Sequence, residues 1–380
     1  MEKRNIPISV PVMGDEELEA LKDPIQSGWL TSGPKVREFE NEFAKIHNVK
    51  HAIAVTSATT ALHLALVSLN IGPDDEVIVP AFTWVSTANV VLYQGAKVVF
   101  CDIDPETFNI DPIKLRDKIT YKTKAIMVVH LFGLCAPMDE IKKVAGDIPL
   151  VEDGACAAGA AYDGIYAGGL GLIGCFSFHP RKSITTGEGG MITTNNNEIA
   201  ENIKVLRNHG ASISEEQRHH GDKPYLLPDF NVLGFNYRMT DLQGALGGVQ
   251  LKKLEKFIEQ RKKWAEYYIN ELSSIEWLKL PVHPEHYKHG WQSFVMIVDE
   301  SKSPMSRNKI MEKLQKEGIS TRPGTHAVHM LNYYSKKYFL NPEDFPGAQI
   351  ANNYSISIPL HNKMEKEDFD YIIYHLKNLV

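Results

Sequence analysis

One lysine, Lys182, lies between an apolar segment and a glycine-rich turn. Residues 173–178 precede it, and Gly187, Gly189 and Gly190 follow within eight residues. Surface lysines usually have polar neighbours, so this arrangement predicts an amine that points into a crowded cleft. Such an amine is suited to Schiff-base formation with a carbonyl, either of a substrate or of pyridoxal 5'-phosphate (PLP). The alternative for this segment alone is a lysine at a strand end that extends into water.

Other residues supply the remaining contacts that PLP requires. Asp153 follows the apolar residues 149–151 and could pair with the pyridine nitrogen, although it could also form a turn or cap a helix. Residues 57–60, Ser-Ala-Thr-Thr, open a predicted helix whose free N–H groups could hold a phosphate, or could be an ordinary helix N-terminus. The hydroxyl of Ser177 and the flat ring of Trp84 complete a PLP-like set.

Alternating helix-like and strand-like segments must position these residues. The hydrophobic pattern predicts a first helix over residues 34–46 and another over 61–69. Strands are predicted at residues 51–55, 76–79, 97–101, 125–130, 149–151, 174–178 and 191–194. Apolar strands separated by helices favour an α/β fold with a mostly parallel sheet, which binds ligands at the carboxyl ends of its strands.

A change of pattern follows a long predicted helix over residues 240–272. Beyond it we expect a strand at 293–299, a helix at 306–317, a strand at 355–358 and a last helix from residue 365. This part predicts a smaller α+β domain. We therefore expect a large domain over residues 1–255 and a small C-terminal domain over 256–380, with residues 211–229 forming a long polar loop.

Two further patterns are weaker. Residues 169–174 match G-x-G-x-x-G, but they follow a turn and open a strand, whereas a dinucleotide site needs a strand before the motif and a helix after it. Histidines at three-residue spacing, His283, His286 and His289, are not interleaved with acidic or thiol ligands, and Pro284 disfavours a regular helix there. We expect neither nicotinamide binding nor a metal site.

Composition favours small-molecule chemistry. The 380 residues are 43% hydrophobic and 23% charged, and the net charge of −6 disfavours nucleic acid or an acidic membrane as partner. No apolar segment is long enough to span a bilayer, and the N-terminus does not resemble a signal peptide, so we expect a cytoplasmic protein. The four cysteines, Cys101, Cys135, Cys156 and Cys175, are predicted to be buried and reduced.

Several stretches resemble one family of enzymes through nearly the whole chain. They are residues 27–34, 56–63, 80–87, 151–154, 175–190 and 234–241. The sequence resembles the DegT-like nucleotide-sugar aminotransferases, which have the PLP-dependent transferase fold type I of the aspartate aminotransferase superfamily. The resemblance implies an α/β fold with a mostly parallel sheet in the large domain, a smaller α+β domain and a homodimer with shared active sites.

The resemblance also implies roles for individual residues. Lys182 would form the Schiff base with PLP, Asp153 would pair with the pyridine nitrogen, and Trp84 would stack on the ring. The phosphate contacts would come from Ala58, Thr59 and Ser177, with Asn236 of the neighbouring subunit. Candidate substrate contacts are Arg207, His326 and His329, and the resemblance places the whole stretch 322–329, with Arg322, near the sugar nucleotide. One position departs from the family, since Cys156 replaces the common Gln or His near the phenolic oxygen of the cofactor.

The expected reaction is a ping-pong transamination with pyridoxamine 5'-phosphate as the intermediate cofactor form. An amino acid, by resemblance L-glutamate, would donate the amine, and a nucleotide-linked ketosugar, by resemblance an NDP-4-keto-6-deoxyhexose, would accept it. Relatives that remove a hydroxyl instead carry a histidine at the position of Lys182. Two alternatives stay open: a non-catalytic regulator or scaffold with this fold, and a PLP-independent lyase or aldolase that uses Lys182 directly on its substrate.

Overall fold

A seven-stranded sheet is the centre of the fold in a computed structural model, which describes residues 3–213, 225 and 227–379. Short two- and three-stranded sheets accompany it. The strands are β1 His51–Val55, β2 Glu76–Pro80, β3 Phe82–Thr83, β4 Lys97–Cys101, β5 Thr123–Val129, β6 Leu150–Asp153, β7 Ala161–Tyr162, β8 Ile165–Tyr166, β9 Ile173–Ser177, β10 Gly190–Thr194, β11 Leu278–Lys279, β12 Tyr287–Lys288, β13 Phe294–Val298, β14 His326–Ala327 and β15 Ser355–Ile358.

Helices connect most of these strands. The α-helices are α1 Asp15–Ser27, α2 Pro34–Ile46, α3 Ala58–Ser68, α4 Ser86–Tyr93, α5 Pro112–Arg116, α6 Met138–Ala145, α7 Asn197–Leu206, α8 Asp241–Leu272, α9 Arg307–Lys316, α10 Asn332–Tyr338, α11 Pro346–Tyr354 and α12 Lys366–Lys377. Short 3₁₀ turns are formed by Leu131–Gly133, Val328–Met330 and Pro342–Asp344.

The large sheet is mostly parallel. Its strand order is β1-β10-β9-β6-β5-β2-β4, and only β10 runs antiparallel to its neighbours. Ile53 and Val55 of β1 pack into the core on one face of the sheet, and Ala52 and Ala54 pack into the core on the other. Both faces are therefore covered, which explains why the strands are apolar at nearly every position.

The smaller part of the chain follows α8. Its sheet consists of three antiparallel strands, β11-β13-β15, which pack with the C-terminal end of α8 and with α12 in a separate core. The mixed α/β architecture confirms the predicted fold class. Helix α8 runs across the expected domain boundary at residues 255/256, and the division into two domains at that point stays a prediction.

Most predicted elements are present, with shifts at their ends. Helix α2 and strands β1, β4 and β15 have the predicted bounds. Helix α3, however, begins three residues earlier than predicted, because the side chain of Ser57 accepts a hydrogen bond from the amide of Thr60 and caps the helix before its apolar part begins. Most of the predicted loop at 211–229 lies outside the described residues.

None of the helices in the described ranges combines the length and the apolar character that a membrane-spanning helix needs.

Candidate active site

A cavity of about 780 Å³ opens at the carboxyl ends of three neighbouring parallel strands. Val129, Asp153 and Ser177, the last residues of β5, β6 and β9, all line it. The first turn of α3 forms a second wall, and residues 322–326 of the smaller part form a third. The sheet edge where ligands are expected is therefore the edge at which the predicted chemistry lies.

Lys182 lies in the turn that connects β9 to β10, and its half-buried side chain lines the cavity. Its amide donates to the carbonyl of His179 at 2.9 Å, which closes a tight turn directly after the strand. The chain after Lys182 folds back onto the end of β9, because the amide of Thr186 and the hydroxyl of Thr185 both donate hydrogen bonds to the Phe178 carbonyl. The backbone around Lys182 is therefore fixed while its amine faces the cavity.

Asp153 is the buried carboxylate of the cavity, with a side chain only about 5% exposed. It accepts hydrogen bonds from Thr87 Oγ1 at 2.8 Å and from the Ala155 amide at 3.2 Å. Burial raises the pKa of the Asp153 carboxyl, while these two donors and the positive charge of Lys182 act in the opposite direction. The Asp153 carboxyl can face a protonated ring nitrogen, and the positive charge of that nitrogen would favour the ionised form of the carboxyl.

The preceding carboxylate, Glu152, points away from the cavity because side chains alternate along a strand. It accepts hydrogen bonds from the amides of Gly168 and Gly171 and from Nε2 of His130. His130 is fully buried, and its Nδ1 accepts from the Ala136 amide, which leaves Nε2 as the donor to Glu152. The Glu-Asp pair thus has one structural and one cavity-facing member.

The first turn of α3 offers donors for a phosphate. Ser57, Ala58 and Thr59 line the cavity, and the first main-chain bond of the helix runs from Ala61 N to Ser57 O. The amides of Ala58 and Thr59 therefore precede the helical hydrogen bonding and lie at the positive end of the helix dipole. Ser177 lies on the same cavity, so the predicted phosphate contacts within one chain are brought together.

Trp84 and His326 form an aromatic part of the wall. Their ring centroids are 5.4 Å apart at an interplanar angle of 70°, and Trp84 is 58% exposed. Pairing of β3 with β14 places His326 opposite Thr83 and so brings the smaller part of the chain against this wall. The exposed indole offers a flat surface to a ring in the cavity.

Cys156 differs from the expectation that all four cysteines are buried. Cys101, Cys135 and Cys175 are buried, but Cys156 is half-buried and lines the cavity. Its Sγ lies 3.1 Å from Nζ of Lys182, because the turn after β6 carries it beneath the lysine. The residue that departs from the family pattern is thus in direct contact with the proposed Schiff-base amine.

Three predicted residues do not line the cavity in the described chain. Asn236 pairs with Asn208 through an isolated β-bridge, and Arg207 donates to Glu40 and to the carbonyl of Ala54. His329 is fully buried, with its ring centroid 4.4 Å from that of Phe345. The fold of a single chain therefore gives Arg207 and His329 no contact with this cavity, and their roles in substrate binding stay predictions.

Sequence reasoning missed two kinds of cavity residue. Thr87, the hydroxyl donor to Asp153, lies four residues after Thr83 on the first turn of α4, within the stretch that carries the family resemblance. Arg181 and Arg307 line the cavity beside Arg322, which the resemblance had already placed near the sugar nucleotide. Arg181 could have been considered as a site residue because it is the direct neighbour of Lys182. Arg307, in contrast, reaches the cavity only through the packing of the smaller part.

Among the residues that the structure describes, no group of three or more His, Cys, Asp or Glu side chains could hold a metal ion. The three-residue spacing of His283, His286 and His289 in the sequence does not bring these side chains into a ligand cluster. His289 instead stacks on Trp291 with ring centroids 3.9 Å apart, as a core residue.

Comparison with known proteins places the chain in a family. Residues 11–377 match the model of the DegT/DnrJ/EryC1/StrS aminotransferase family. The spore coat polysaccharide biosynthesis protein SpsC of Bacillus subtilis is 38% identical over 385 residues, covering 100% of this chain and 99% of SpsC. The PLP-form of Spr1654 from Streptococcus pneumoniae, described as a sugar aminotransferase, superimposes with a TM-score of 0.90 at 29% identity, covering 99% of this chain and 100% of Spr1654.

A further similar structure is a GDP-4-keto-6-deoxymannose-3-dehydratase, a point variant of ColD with bound GDP-perosamine. It superimposes with a TM-score of 0.89 at 30% identity, covering 98% of this chain and 100% of that chain. The chain belongs to the DegT/DnrJ/EryC1/StrS aminotransferase family. It is a PLP-dependent sugar aminotransferase.

The residues of the cavity fit PLP. The α3 amides and Ser177 can bind a phosphate, the buried Asp153 carboxyl can bind a protonated ring nitrogen, and Lys182 supplies the amine for the aldehyde. All these groups line the same cavity. Among the described residues, no carboxylate is bonded to the amine of Lys182, whose partner is Sγ of Cys156. A PLP-independent lyase would leave the phosphate donors and Asp153 without a function, and family membership favours transamination over both earlier alternatives.

Proposed function

We propose that the enzyme moves the amino group of L-glutamate to a nucleotide-linked ketosugar, an NDP-4-keto-6-deoxyhexose, and so produces an NDP-aminosugar. The observation that carries the proposal is the common cavity of Lys182, Asp153 and the first turn of α3. Its volume of about 780 Å³ falls in the range of pockets that enclose ligands larger than a cofactor ring. The similarity to ColD with bound GDP-perosamine supports a nucleotide sugar as the second substrate.

Bound PLP supplies an aldehyde for the amine and a ring that accepts electrons from the reacting carbon. Lys182 holds the cofactor through its Nζ and, when that nitrogen is free, accepts the proton that leaves the α-carbon of the amino donor. Asp153 keeps a proton on the ring nitrogen, and Thr87 orients the Asp153 carboxylate. The amides of Ala58 and Thr59 fix the phosphate and so set the position of the reacting centre.

We also infer that two chains form a homodimer with shared sites, in which Asn236 contacts the phosphate in the cavity of the other chain. Asn236 lies outside its own cavity. The nearby side chains of Phe230, Val232 and Leu233 are 58%, 45% and 89% exposed, which is an apolar surface that a second chain would cover. Cytoplasmic location remains a prediction.

The test of the substrate class uses the enzyme loaded with pyridoxamine phosphate. It is incubated with a panel of nucleotide-linked 3- and 4-ketosugars that carry uridine, thymidine, guanosine or cytidine, and the return of PLP absorbance is followed. We expect conversion with at least one 4-keto-6-deoxy compound and none with the corresponding free sugars. If none of the nucleotide ketosugars restores the PLP spectrum, the proposed acceptor is wrong even though the cofactor is right.

A separate measurement tests the donor. The PLP-loaded enzyme is mixed with L-glutamate, L-glutamine, L-aspartate and L-alanine, and the loss of PLP absorbance is measured as a function of concentration. The proposal expects the highest rate per unit concentration with L-glutamate. A preference for any of the other three amino acids would replace glutamate as the donor without affecting the acceptor.

A further inference from the structure

The peptide group that links Arg181 to Lys182 is held on both sides. Its amide donates to the carbonyl of His179 at 2.9 Å, within the turn after β9. Its carbonyl accepts a hydrogen bond of 2.9 Å from Nε2 of Gln292, which belongs to the smaller part of the chain. Because a peptide group is planar and nearly rigid, these two bonds together fix the plane that contains the Cα atom of Lys182.

The side chain of Gln292 has a defined orientation. It is half-buried and lines the cavity, and its Oε1 accepts a hydrogen bond of 3.0 Å from Oγ of Ser293. This bond leaves Nε2 as the atom that faces the Arg181 carbonyl. The backbone of Gln292 is also fixed, since its amide donates to the Phe132 carbonyl at 3.1 Å. A donor that is already ordered loses little conformational entropy when it forms its bond.

Gln292 follows directly on a strained contact between two segments of the chain. Trp291 has φ 44° and Phe132 has φ 58°, both in the left-handed region that bulky residues rarely adopt. The two segments approach so closely that a Cβ at Gly133 would lie 2.9 Å from the amide nitrogen of Trp291. Such backbone conformations persist only where the surrounding structure enforces them. The structure therefore holds Gln292 at one position at the cost of local strain.

Arg261 stabilises this strained turn. It is only 4% exposed, and its Nη1 donates to the carbonyls of Trp291 and Gln292 at 3.3 and 3.2 Å. Its Nε donates to Oδ1 of Asn362 at 2.7 Å. In the described part of the chain these neutral oxygens, and not a carboxylate, receive the hydrogen bonds of the buried cation. Because a buried charge requires such partners, Arg261 holds both carbonyls of the turn firmly.

We propose that Gln292 is a positioning residue for Lys182, which holds the Arg181–Lys182 peptide so that the lysine amine meets the aldehyde of PLP. This inference rests on the proposed role of Lys182. In the step concerned, the amine condenses with the aldehyde, a C=N bond replaces the C=O bond, and one water leaves without any transfer of electrons. An amine held beside its reaction partner reacts as if at high local concentration.

The proposal separates two parts of cofactor binding. Loss of the Gln292 bond should weaken the covalent attachment of PLP to Lys182, while the contacts to the phosphate and the ring remain. Because Gln292 belongs to the smaller part of the chain, the same bond links the placement of that part to the reactivity of the lysine.

The test compares two forms of the cofactor. PLP can condense with Lys182, whereas pyridoxamine 5'-phosphate carries an amine in place of the aldehyde and cannot. The Kd of each is measured by spectral titration of enzyme freed of its cofactor. The variant Gln292→Met retains the length of the side chain but removes the donor, and Gln292→Asn shortens it by one carbon. Gln315→Met is the matched control, at an exposed glutamine of α9.

We expect each Gln292 variant to raise the Kd of PLP about three- to tenfold, and to change the Kd of pyridoxamine phosphate less than about twofold. Retained binding of pyridoxamine phosphate also shows that the variants fold, and Gln315→Met should match the wild type. Unchanged PLP binding in both Gln292 variants would overturn the proposal. An equal or larger loss for pyridoxamine phosphate would overturn it as well, because Gln292 would then contact the cofactor directly or support only the fold.

A second comparison uses Lys182→Ala as the background. Without the lysine amine, Gln292→Met should change the Kd of PLP less than about twofold, and a loss as large as that in the wild-type background would contradict the proposal. If Lys182→Ala itself binds PLP as tightly as the wild type, the proposed role of Lys182 fails and this inference fails with it. If Lys182→Ala weakens PLP binding selectively but the Gln292 variants do not, the proposed function stands and only this inference fails.

Discussion

Thr87 Oγ1 donates a hydrogen bond of 2.8 Å to Oδ2 of Asp153, and both side chains are buried. The bond joins the first turn of α4 to the carboxyl end of β6 and fixes the carboxylate that faces the cavity. A hydrogen bond to the ionised form stabilises it and counteracts the effect of burial on the pKa of Asp153. Thr87 is therefore a positioning residue for Asp153, the acid that we propose to hold the ring nitrogen.

Replacing Thr87 with valine should shift the acid limb of the pH profile of kcat/KM to higher pH. Loss of a hydrogen bond to a charged group, worth about 1.5–3 kcal/mol, raises the carboxyl pKa by roughly one to two units. Thr87→Ser retains the hydroxyl and should behave as the wild type. A valine variant whose acid limb does not move, while its activity merely falls, would show that Thr87 acts only through packing.

Replacing Lys182 with alanine should abolish the absorbance of the Schiff base and lower turnover by at least about 10²–10⁴-fold, because a positioned proton-transfer group contributes that much to the rate. The phosphate and ring contacts remain, so PLP should still bind non-covalently. The measurement combines absorbance spectra with borohydride trapping. Lys114→Ala, at an exposed lysine of α5, is the control and should retain both activity and trapping.

Mixing two inactive or weakened variants tests whether the site is shared between chains. If Asn236 serves the cavity of its partner, a mixed dimer of Lys182→Ala and Asn236→Ala contains one site with neither substitution. Refolding the two variants together should therefore restore activity at limiting PLP, to roughly a quarter of the wild-type value. Restoration is absent if Asn236 acts within its own chain or if the chain is a monomer, and light scattering distinguishes these two cases.

Much of the site could be predicted from the sequence because its residues directly follow regular elements. Asp153 ends β6 and Ser177 ends β9, and apolar strands of this kind are visible in the sequence. The carboxyl ends of parallel strands meet at one edge, so predicting the strands also places the side chains that follow them. The start of α3 was misjudged, since its first turn is set by a cap rather than by apolar periodicity.

The contacts that depend on distant parts of the chain could not be predicted in this way. Arg322 reaches the cavity because its main chain pairs with Ser357, and His326 because β14 pairs with β3. Neither pairing is encoded in a local pattern. The burial of His329 is not encoded locally either: its sequence neighbours suggest a substrate loop, but its side chain is buried in the folded chain.

Acid should destabilise the protein partly through His47. Burial lowers the pKa of His47 to about 4, while its ring stacks on Phe43 and bonds to the Ala167 carbonyl at 2.9 Å. The folded-state pKa lies below the unfolded value of 6.5, so the unfolded chain binds the proton first and stability is lost as pH falls from about 6.5 to 4. This difference corresponds to roughly 3 kcal/mol.

His47→Gln removes that titration and should reduce the loss of unfolding free energy between about pH 7 and pH 4 by up to roughly 3 kcal/mol. Urea unfolding at several pH values measures it, and the difference between pH values is informative even if the variant is less stable throughout. His51→Gln, at a partly exposed histidine of β1, is the control for removing an imidazole that is not buried. Equal pH dependence in both variants would contradict the assignment.

Gly190 of β10 lies directly against the first turn of α3, where we propose that the phosphate binds. A Cβ at this position would lie 2.5 Å from the carbonyl carbon and oxygen of Ser57 and 2.8 Å from the amide nitrogen of Ala58, so the turn would have to move. Gly190→Ala should therefore weaken PLP binding about tenfold or more and destabilise the fold by about 1–3 kcal/mol. Gly248→Ala on helix α8 is the control, since a Cβ there meets no atom within 4 Å. This substitution should raise helix stability by up to about 1 kcal/mol.

Spectral titration with PLP separates the effect of Gly190→Ala on cofactor binding from its effect on stability. A Gly190 variant that is destabilised but binds PLP with wild-type affinity would show that the first turn of α3 does not hold the phosphate.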